Sequence, residues 1–307
     1  MTRRFVDAHC HLQDPRLRTS LPEVLRRASE HGLTHICTCS CNEDEWNNFP
    51  SLVQDIASAT PKIVPAFGLH PWYAGDASPS YLDSLRTTLQ RYPSALVYLY
   101  RVAIYVEKRF TLWRPRSDQL VMQVGEIGLC KSRRGKQVPL HVQEQRCREQ
   151  LELSEQLGRP VVLHCVAAHG KLLDLLAAAP SLPHAILHAY SGSADMVKAF
   201  TKLPFPVYVS FTARQCVDMV QSEKLRSTFA AVPSSRLLLE TDAPDQRPSV
   251  LGSSAMAVLM DLELNDPVAV KMAVEVVAES TGKSADVVAA QVYANAIDAF
   301  WVENTGI

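Results

Sequence analysis

The sequence predicts an α/β fold, a (β/α)8 TIM-type barrel with an inserted segment before the fourth strand. Two observations support this fold. First, β-prone segments alternate with segments whose apolar residues recur at helical spacing, and eight strands can be counted, beginning near residues 4, 34, 63, 121, 160, 184, 206 and 236. Second, eight parallel strands separated by helices in 307 residues favour a closed barrel over an open, doubly wound sheet.

The helices between these strands are predicted from the same patterns. The first begins at Leu21-Pro22 and is expected to stop at His31-Gly32, where glycine suits a left-handed cap. Leucines at helical spacing predict a helix over residues 81–92. The other helices are predicted over residues 44–58, 142–157, 171–179, 194–203, somewhere within 218–231, 267–280 and 284–301.

The composition describes a globular chain with little net charge. Of the 307 residues, 47% are hydrophobic, and the formal net charge is -1. We therefore expect one domain over residues 1–307. The chain has no overall positive charge with which it could bind nucleic acid non-specifically. No signal-like segment and no run of 18 apolar residues occurs. We expect no membrane association, a cytoplasmic location with the nucleus as the alternative, and a monomer without an obligate protein partner.

The eight cysteines are interpreted as reduced thiols and not as a disulfide framework. Cys37, Cys39 and Cys41 alternate along the second strand and therefore share one face. Residues two apart in a strand are separated by roughly 6.5 Å, which is too wide for one zinc ion to be chelated easily. Buried thiols are the first interpretation, and thiolate metal binding or redox sensing is the alternative.

A possible metal site begins six residues into the chain. Alternation places Asp7, His9 and His11 on one face of the first strand, so that two imidazoles point the same way. Such a pair can offer two nitrogens to one zinc or manganese ion, although two histidines in a polar core would show the same pattern.

The ends of the other strands decide between these interpretations. In a barrel of this kind the active site lies at the carboxyl ends of the strands, and ligand-type residues occur there repeatedly: His9, His11, His70, Glu126, His164, His188 and Asp242. Histidines scattered through a core would not all lie at the carboxyl ends of the strands, so the sequence predicts a metal site. His169, just after the fifth strand, is a further candidate for substrate contact.

Several of these motifs together resemble the TatD-type metal-dependent deoxyribonucleases. They are Asp7-Ala-His-Cys-His-Leu12, Gly68-Leu-His-Pro71, Gly125-Glu-Ile-Gly-Leu129, the His164 and His188 strand ends, Glu240-Thr-Asp-Ala-Pro244 and Asn295-Ala-Ile-Asp-Ala-Phe300. The resemblance runs from residue 4 to about residue 301. It implies an amidohydrolase-like β/α barrel that hydrolyses phosphodiester bonds in DNA, often as a 3′ to 5′ exonuclease.

The resemblance also implies a ligand set for two divalent ions, which would be Mg, Mn or Zn. One ion would be held by His9, His11, Glu126 and Asp242. The other would be held by His164, His188 and the same Glu126 as a bridge. Two such ions neutralise phosphate oxygens and activate water.

Individual roles can be assigned on the same basis. Asp242 is the candidate general base, and His70 is expected to reach a substrate phosphate. Glu240 and Asp7 share strand faces with Asp242 and His9, so we expect them to orient the ligand histidines.

One departure from the family pattern follows the fourth strand. Cys130 stands where the family usually has aspartate, and a thiol replaces a carboxylate neither as an acceptor nor as a hard-metal ligand. Directly after it come Lys131, Arg133 and Arg134. These cations are candidates for contacts with the phosphate backbone, and a solvated loop is the alternative.

A second departure is the apparent insertion over residues 97–119. Because it joins a helix to the next strand, we expect it on the amino-terminal face of the barrel, opposite the active site. In the competing view, Leu96 to Val106 form the genuine fourth strand. Two other function classes stay open: a metal-dependent hydrolase of another bond, such as an aminoacyl-RNA ester or an amide, and a metal-binding protein with little catalytic activity.

Overall fold

The computed structural model describes residues 3–56, 61–91, 122–249, 259 and 262–300. Eight parallel strands form one sheet in which sequence order and spatial order are the same. The prediction of eight strands is confirmed, and their bounds are β1 (Phe5–Cys10), β2 (Leu33–Ser40), β3 (Lys62–Phe67), β4 (Gln123–Cys130), β5 (Val161–Val166), β6 (Ala185–Leu187), β7 (Val207–Thr212) and β8 (Leu237–Glu240).

The sheet closes where the residues following β8 meet β1. The Asp242 N–H donates to the His9 carbonyl at 2.9 Å, and the His11 N–H donates to the Ala243 carbonyl at 2.7 Å. These two bonds join the last strand to the first at the carboxyl end of both, which is the end where the candidate ligands lie. The α/β barrel predicted from the strand count is confirmed.

Helices follow the strands around the outside of the barrel. They are α1 (Pro15–Arg18), α2 (Leu21–Glu30), α3 (Glu43–Ile56), α4 (Tyr81–Arg91), α5 (Leu140–Leu157), α6 (His169–Ala177), α7 (Ala194–Phe200), α8 (Ala213–Met219), α9 (Glu223–Ala230), α10 (Val270–Thr281) and α11 (Ala285–Ala299). The predicted cap after α2 is confirmed, since Gly32 has a φ of +83°.

The helix predicted somewhere within residues 218–231 is confirmed by α9, and the structure adds α8 before it, which ends at Met219. A capping box between Thr212 and Gln215 starts α8 at the end of β7. The Ser222 side chain then accepts from the Leu225 N–H and starts α9. Separate caps therefore start two helices in this part of the chain.

The apolar core has two parts. A large cluster lies between the strands and the helices, and a smaller one fills the barrel with side chains such as Val64, Val162 and Leu238. The smaller cluster also contains Phe300, which directly follows α11. The Asn295 amide fastens α11 to the segment leading into β8, donating to the carbonyls of Ser234 and Leu237 at 2.7 and 2.8 Å.

The fourth strand is the one that carries Glu126. β4 pairs with β3 and with β5 in parallel, so the competing view that Leu96 to Val106 form this strand is wrong. The predicted insertion over 97–119 lies outside the described residues. Within the described residues, no helix combines the length and the apolar character that crossing a membrane requires.

Candidate metal centre

The carboxyl ends of the strands surround a cavity of about 510 Å³. Its lining includes five of the predicted metal ligands, which are His11, Glu126, His164, His188 and Asp242. His70, predicted to contact substrate, also lines it. His9 is fully buried directly beneath them, with its Nε2 atom 3.6 Å from the Asp242 carboxylate. The structure therefore brings together all the ligand candidates that the sequence placed at strand ends.

Four of these residues form a first group of converging atoms. His9 Nε2 and His11 Nε2 lie 3.3 Å apart, and they lie 3.5 and 3.7 Å from Glu126 Oε2. Asp242 Oδ1 lies 3.6 Å from His9 Nε2 and 3.3 Å from His11 Nε2. Ligand atoms about 2.1 Å from a tetrahedral ion are separated by about 3.4 Å, so this spacing fits one divalent ion.

A second group surrounds the other oxygen of the same carboxylate. Glu126 Oε1 lies 2.8 Å from His164 Nδ1 and 2.7 Å from His188 Nε2, and those two nitrogens are 3.2 Å apart. The carboxylate of Glu126 thus directs one oxygen toward each group. Carboxylate oxygens and imidazole nitrogens are the donors that zinc and manganese accept.

Backbone geometry sets Glu126 beside His164. Gly128, two residues after Glu126, pairs with His164 across the β4–β5 edge and has a φ of +136°. A Cβ atom at Gly128 would lie 2.1 Å from the His164 carbonyl oxygen. Only glycine permits this close approach, which explains the second glycine of the Gly125-Glu-Ile-Gly128 motif.

His70 also faces Glu126, with Nε2 3.4 Å from Oε1. Its Nδ1 accepts the Trp72 N–H at 3.1 Å, which leaves the proton of the neutral ring on Nε2. Burial lowers the pKa of His70 to about 4 and so favours that neutral form. The predicted contact with substrate phosphate stays a prediction, and the N–H that it requires faces Glu126 Oε1 at the wall of the cavity.

Burial and neighbouring charges set the protonation of the ligand groups. Burial raises the pKa of Glu126, but the imidazoles of His188, His70 and His164 outweigh burial and hold it well below its ordinary value. Burial, followed by the charge of His188, lowers the pKa of His9. Burial lowers the pKa of His11, His164 and His188, but Cys41, Cys130 and Glu126 respectively outweigh burial and raise it. Because a metal binds an ionised carboxylate and a neutral imidazole, these three histidines would release protons when an ion binds.

Outer contacts orient three of the imidazoles. His11 Nδ1 lies 2.8 Å from the Cys39 carbonyl oxygen, and His9 Nδ1 lies 3.3 Å from the Cys39 sulfur. His188 Nδ1 lies 3.3 Å from Glu240 Oε1, as expected for a carboxylate that orients a histidine. Each contact leaves the Nε2 atom directed at the centre, the arrangement that ligand histidines usually show.

The role predicted for Asp7 is wrong. Its carboxylate accepts the Thr241 N–H at 2.9 Å, the Thr241 hydroxyl at 2.5 Å and the His9 N–H at 3.3 Å, so it binds backbone and hydroxyl groups and no imidazole. Asp7 lies on the same strand face as His9. It comes two residues earlier in β1, which places it about 6.6 Å deeper in the barrel. It fastens β1 to the end of β8.

Cys41 is a cavity residue for which the sequence reasoning placed metal binding second to simple burial. Cys41 directly follows β2 and lines the cavity, with its sulfur 3.8 Å from Glu126 Oε2 and 3.9 Å from His11 Nδ1. The second strand also has a carboxyl end at this edge, and applying the strand-end test to it would have found Cys41. The backbone separation used to dismiss the thiols was misleading, because the Cys37 and Cys39 sulfurs are only 4.0 Å apart. All eight cysteines are free thiols.

The basic segment after β4 contributes one of its cations, Arg134, to the cavity wall. The Arg134 guanidinium lies 4.1 Å from the centre of the Trp72 ring, and it donates to the Tyr73 hydroxyl at 3.0 Å. Lys131 and Arg133 are exposed and do not line the cavity. Nor does His169, whose ring lies 5.3 Å from that of Tyr190.

Cys130 lies next to this wall. Its sulfur accepts the Trp72 indole N–H at 3.3 Å and lies 3.0 Å from the Ser132 hydroxyl oxygen. Burial raises the pKa of Cys130, but His164 and then Ser132 outweigh burial and lower it to about 6. Its neighbours are thus indole, hydroxyl and imidazole groups.

The sequence and the fold are both similar to those of known proteins. The family model for TatD related DNases matches residues 6–301. YjjV of Escherichia coli, an uncharacterized metal-dependent hydrolase, is 29% identical over 242 residues, which are 79% of this chain and 80% of YjjV. A 3′-5′ ssDNA/RNA exonuclease TatD from Pantoea vagans is 26% identical over 298 residues, covering 94% and 96% of the two chains. The crystal structure of YjjV, a TatD homologue, has a TM-score of 0.74 at 26% identity, covering 96% of this chain and 97% of its own.

Proposed function

Because this chain belongs to the family of TatD related DNases, we propose that it hydrolyses phosphodiester bonds in DNA as a metal-dependent 3′ to 5′ exodeoxyribonuclease. The observation that carries the proposal is the division of the Glu126 carboxylate between two groups of ligand atoms. One oxygen lies 3.5 Å from His9 Nε2, and the other lies 2.7 Å from His188 Nε2. A shared carboxylate is what a dinuclear hydrolytic centre requires.

The proposed centre holds two divalent ions, which would be Mg, Mn or Zn. His9, His11, Glu126 and Asp242 would hold one, and Glu126, His164 and His188 the other. When bound, such ions stabilise charge on phosphate oxygens and make water a better nucleophile at neutral pH. The donor set and its spacing support this assignment, since the imidazoles are oriented by outer contacts before any ion binds.

Asp242 is the proposed general base. One of its oxygens lies among the first group of ligand atoms, and its side chain is partly exposed to the cavity. That exposure leaves an oxygen accessible to a water proton, and a carboxylate in this position can accept it as the water attacks phosphorus. His70 would donate its Nε2 proton to a phosphate oxygen.

The cavity wall supplies the proposed contacts with the rest of the substrate. Arg134 is exposed and stacks on Trp72, so its guanidinium can contact phosphate while the indole offers a surface for a base. Lys131 and Arg133, farther from the cavity, would contact the backbone of the following nucleotides. A terminal nucleotide fits a cavity of about 510 Å³ better than an intact duplex does.

The direction of digestion and the choice of nucleic acid are supported by the relatives. The Pantoea vagans relative is named a 3′-5′ ssDNA/RNA exonuclease, and we extend that polarity to this chain. We further propose a monomer that acts in the cytoplasm, with the nucleus as the alternative location. The eight free thiols support a reducing compartment.

A digestion series tests the proposal. DNA labelled at the 5′ end or the 3′ end, single-stranded or double-stranded, is incubated with the chelated protein after addition of one metal at a time. We expect mononucleotides released from the 3′ end to appear first. Without metal we expect no product. RNA and aminoacyl-RNA serve as competing substrates.

The same series separates the two alternative functions. Release of an amino acid from aminoacyl-RNA without DNA cleavage would identify a hydrolase of another bond. Metal binding without any product would identify a metal-binding protein with little catalysis. Either result would contradict the proposed nuclease.

A further inference from the structure

The Cys41 thiol lies beside Glu126 and beside the outer ring nitrogen of His11, and each of its hydrogen-bond contacts is long. Its sulfur is 3.8 Å from Glu126 Oε2, 3.9 Å from His11 Nδ1 and 3.9 Å from the Cys39 carbonyl oxygen. A thiol that donated to one acceptor would approach that acceptor more closely than the others. Three nearly equal, long distances describe a sulfur directed between groups.

The position of Cys41 is fixed by its backbone. The Cys41 N–H donates to Glu45 Oε2 at 2.8 Å, and the Glu45 carboxylate also accepts from the side chains of Gln13 and Asn42, at 3.0 and 2.9 Å. Glu45 lies in the first turn of α3, so this helix holds the backbone of the residue that follows β2.

The spacing fits a sulfur ligand. Cys41 would be a fifth ligand, and with a zinc–sulfur bond of about 2.3 Å and a zinc–oxygen bond of about 2.1 Å, two equatorial ligand atoms of a five-coordinate site lie about 3.8 Å apart. The observed separation of the Cys41 sulfur from Glu126 Oε2 is 3.8 Å. One ligand atom each from His11, Cys41 and Glu126 all lie within 4.8 Å of one another.

We propose that the Cys41 sulfur is an additional ligand of the metal centre on its His11 side, and that it makes the centre prefer zinc to magnesium and manganese. The inference rests on the proposed function only in taking a metal to bind between His11 and Glu126. Thiolate is a soft ligand that favours zinc, whereas magnesium and manganese favour oxygen. On binding, the S–H bond is replaced by a sulfur–metal bond, and the proton passes to solvent.

Cobalt substitution tests the ligand directly. The chelated full-length protein is loaded with Co²⁺, which occupies zinc sites and absorbs in the near ultraviolet when a thiolate coordinates it. We expect this band in the wild type and in Cys130→Ser, and its loss in Cys41→Ser at equal bound cobalt. Cys130 is the matched control, because its thiol lines the same cavity.

Several results would overturn the proposal. One is a wild-type protein that binds cobalt without the band. Another is a band that disappears in Cys130→Ser and persists in Cys41→Ser, which would assign the sulfur ligand to Cys130.

A measurement on the wild type alone keeps the test valid if Cys41→Ser fails to fold. X-ray absorption of the zinc-loaded protein should show one sulfur neighbour at about 2.3 Å. A shell of nitrogen and oxygen atoms alone would contradict the proposal.

Metal selectivity is the functional readout. In a competition titration, Cys41→Ser should lower the ratio of zinc to manganese affinity at least about tenfold, since even the loss of an outer-shell partner of a ligand costs that much. An unchanged ratio would contradict the claim of selectivity.

Nuclease activity takes no part in these readouts. A sulfur-ligated centre in a protein that leaves DNA intact would refute the proposed function and retain this inference. DNA cleavage by a centre without sulfur would do the reverse.

Discussion

At the scale of the residue, Asp242 combines a strained backbone with a central place among the ligands. Its φ of +57° is unusual for a residue other than glycine, and its N–H donates to the His9 carbonyl at 2.9 Å. Strain of this kind is retained where the surrounding structure over-determines a conformation, often at functional sites. Here the hydrogen bond that closes the barrel also places the carboxylate beside His9 and His11.

The first prediction is that Asp242→Asn lowers turnover about 10²-fold to 10⁴-fold, the usual range for loss of a general base. The amide has the same shape but is a poor base and a weaker metal ligand. Turnover and DNA affinity are measured at saturating metal, and we expect the loss in turnover to be the larger. Asp195→Asn is the control, since Asp195 is exposed on α7, outside the cavity lining, and pairs with Lys198. Wild-type turnover in Asp242→Asn would place the base elsewhere.

The second prediction concerns the group around Glu126 Oε1. His164 Nδ1 and His188 Nε2 lie 2.8 and 2.7 Å from that oxygen, so a double change to alanine removes two of its three proposed ligands. We expect the metal content of the reconstituted protein to fall by about one ion from about two, with far-ultraviolet circular dichroism unchanged. His169→Ala, a half-buried histidine outside the cavity lining, is the control. Equal metal content in the double variant and the wild type would refute the assignment.

At the scale of the element, the chain between α4 and β4 leads into the amino-terminal end of β4. The site residues Glu126 and His164 lie in the middle of β4 and β5, and they line a cavity that also contains Cys130 and Val166, the last residues of these strands. A connection that enters at the amino-terminal face is separated from the chemistry by the thickness of the barrel.

The third prediction is that deleting residues 97–119 and joining the ends with a short Gly-Ser link leaves metal content and turnover within about twofold of the wild type. The free energy of unfolding should not fall, because the segment contributes a Tyr- and Val-rich run that favours unwanted pairing. In a control variant, a Gly-Ser segment of equal length replaces residues 97–119. This control distinguishes an effect of the segment's sequence from an effect of its length. A folded deletion variant that loses metal and activity together would contradict the opposite-face placement.

At the scale of the whole molecule, the free energy of unfolding depends on pH through a histidine outside the metal centre. His35 is buried in β2, and its Nδ1 lies 2.9 Å from the Thr34 hydroxyl. Burial, followed by the charges of Lys62 and Arg4, lowers the pKa of His35 from its ordinary 6.5 to about 4. Between these values the unfolded chain binds a proton that the folded chain does not, so stability falls as the pH falls through this interval.

The fourth prediction follows from that sign. Between pH 7 and pH 5 the wild type should lose about 1 to 2 kcal/mol more unfolding free energy than His35→Gln does. Urea unfolding of the chelated protein at both pH values measures the difference. His141→Gln, at an exposed position on α5, should behave like the wild type. An identical pH dependence in His35→Gln and the wild type would show that His35 does not carry the effect.

The sequence by itself determined the barrel and the ligand candidates. Hydrophobic periods of two and 3.6 residues mark strands and helices locally, and eight strands alternating with helices leave few topologies. Because parallel strands place their carboxyl ends on one edge, ligand-type residues at those ends had to meet. His9, Glu126 and Asp242 could therefore be assigned to one site without coordinates.

Only the tertiary structure decided which atoms meet and how they are held. The division of the Glu126 oxygens, the bonding of Asp7 to Thr241 and the position of the Cys41 sulfur each depend on strands far apart in sequence. Alternation gives the face on which a side chain lies, but its depth in the barrel and the direction of its terminal atoms are set by packing against other strands. Ligand chemistry acts over tenths of an ångström, and that precision comes from the closed barrel.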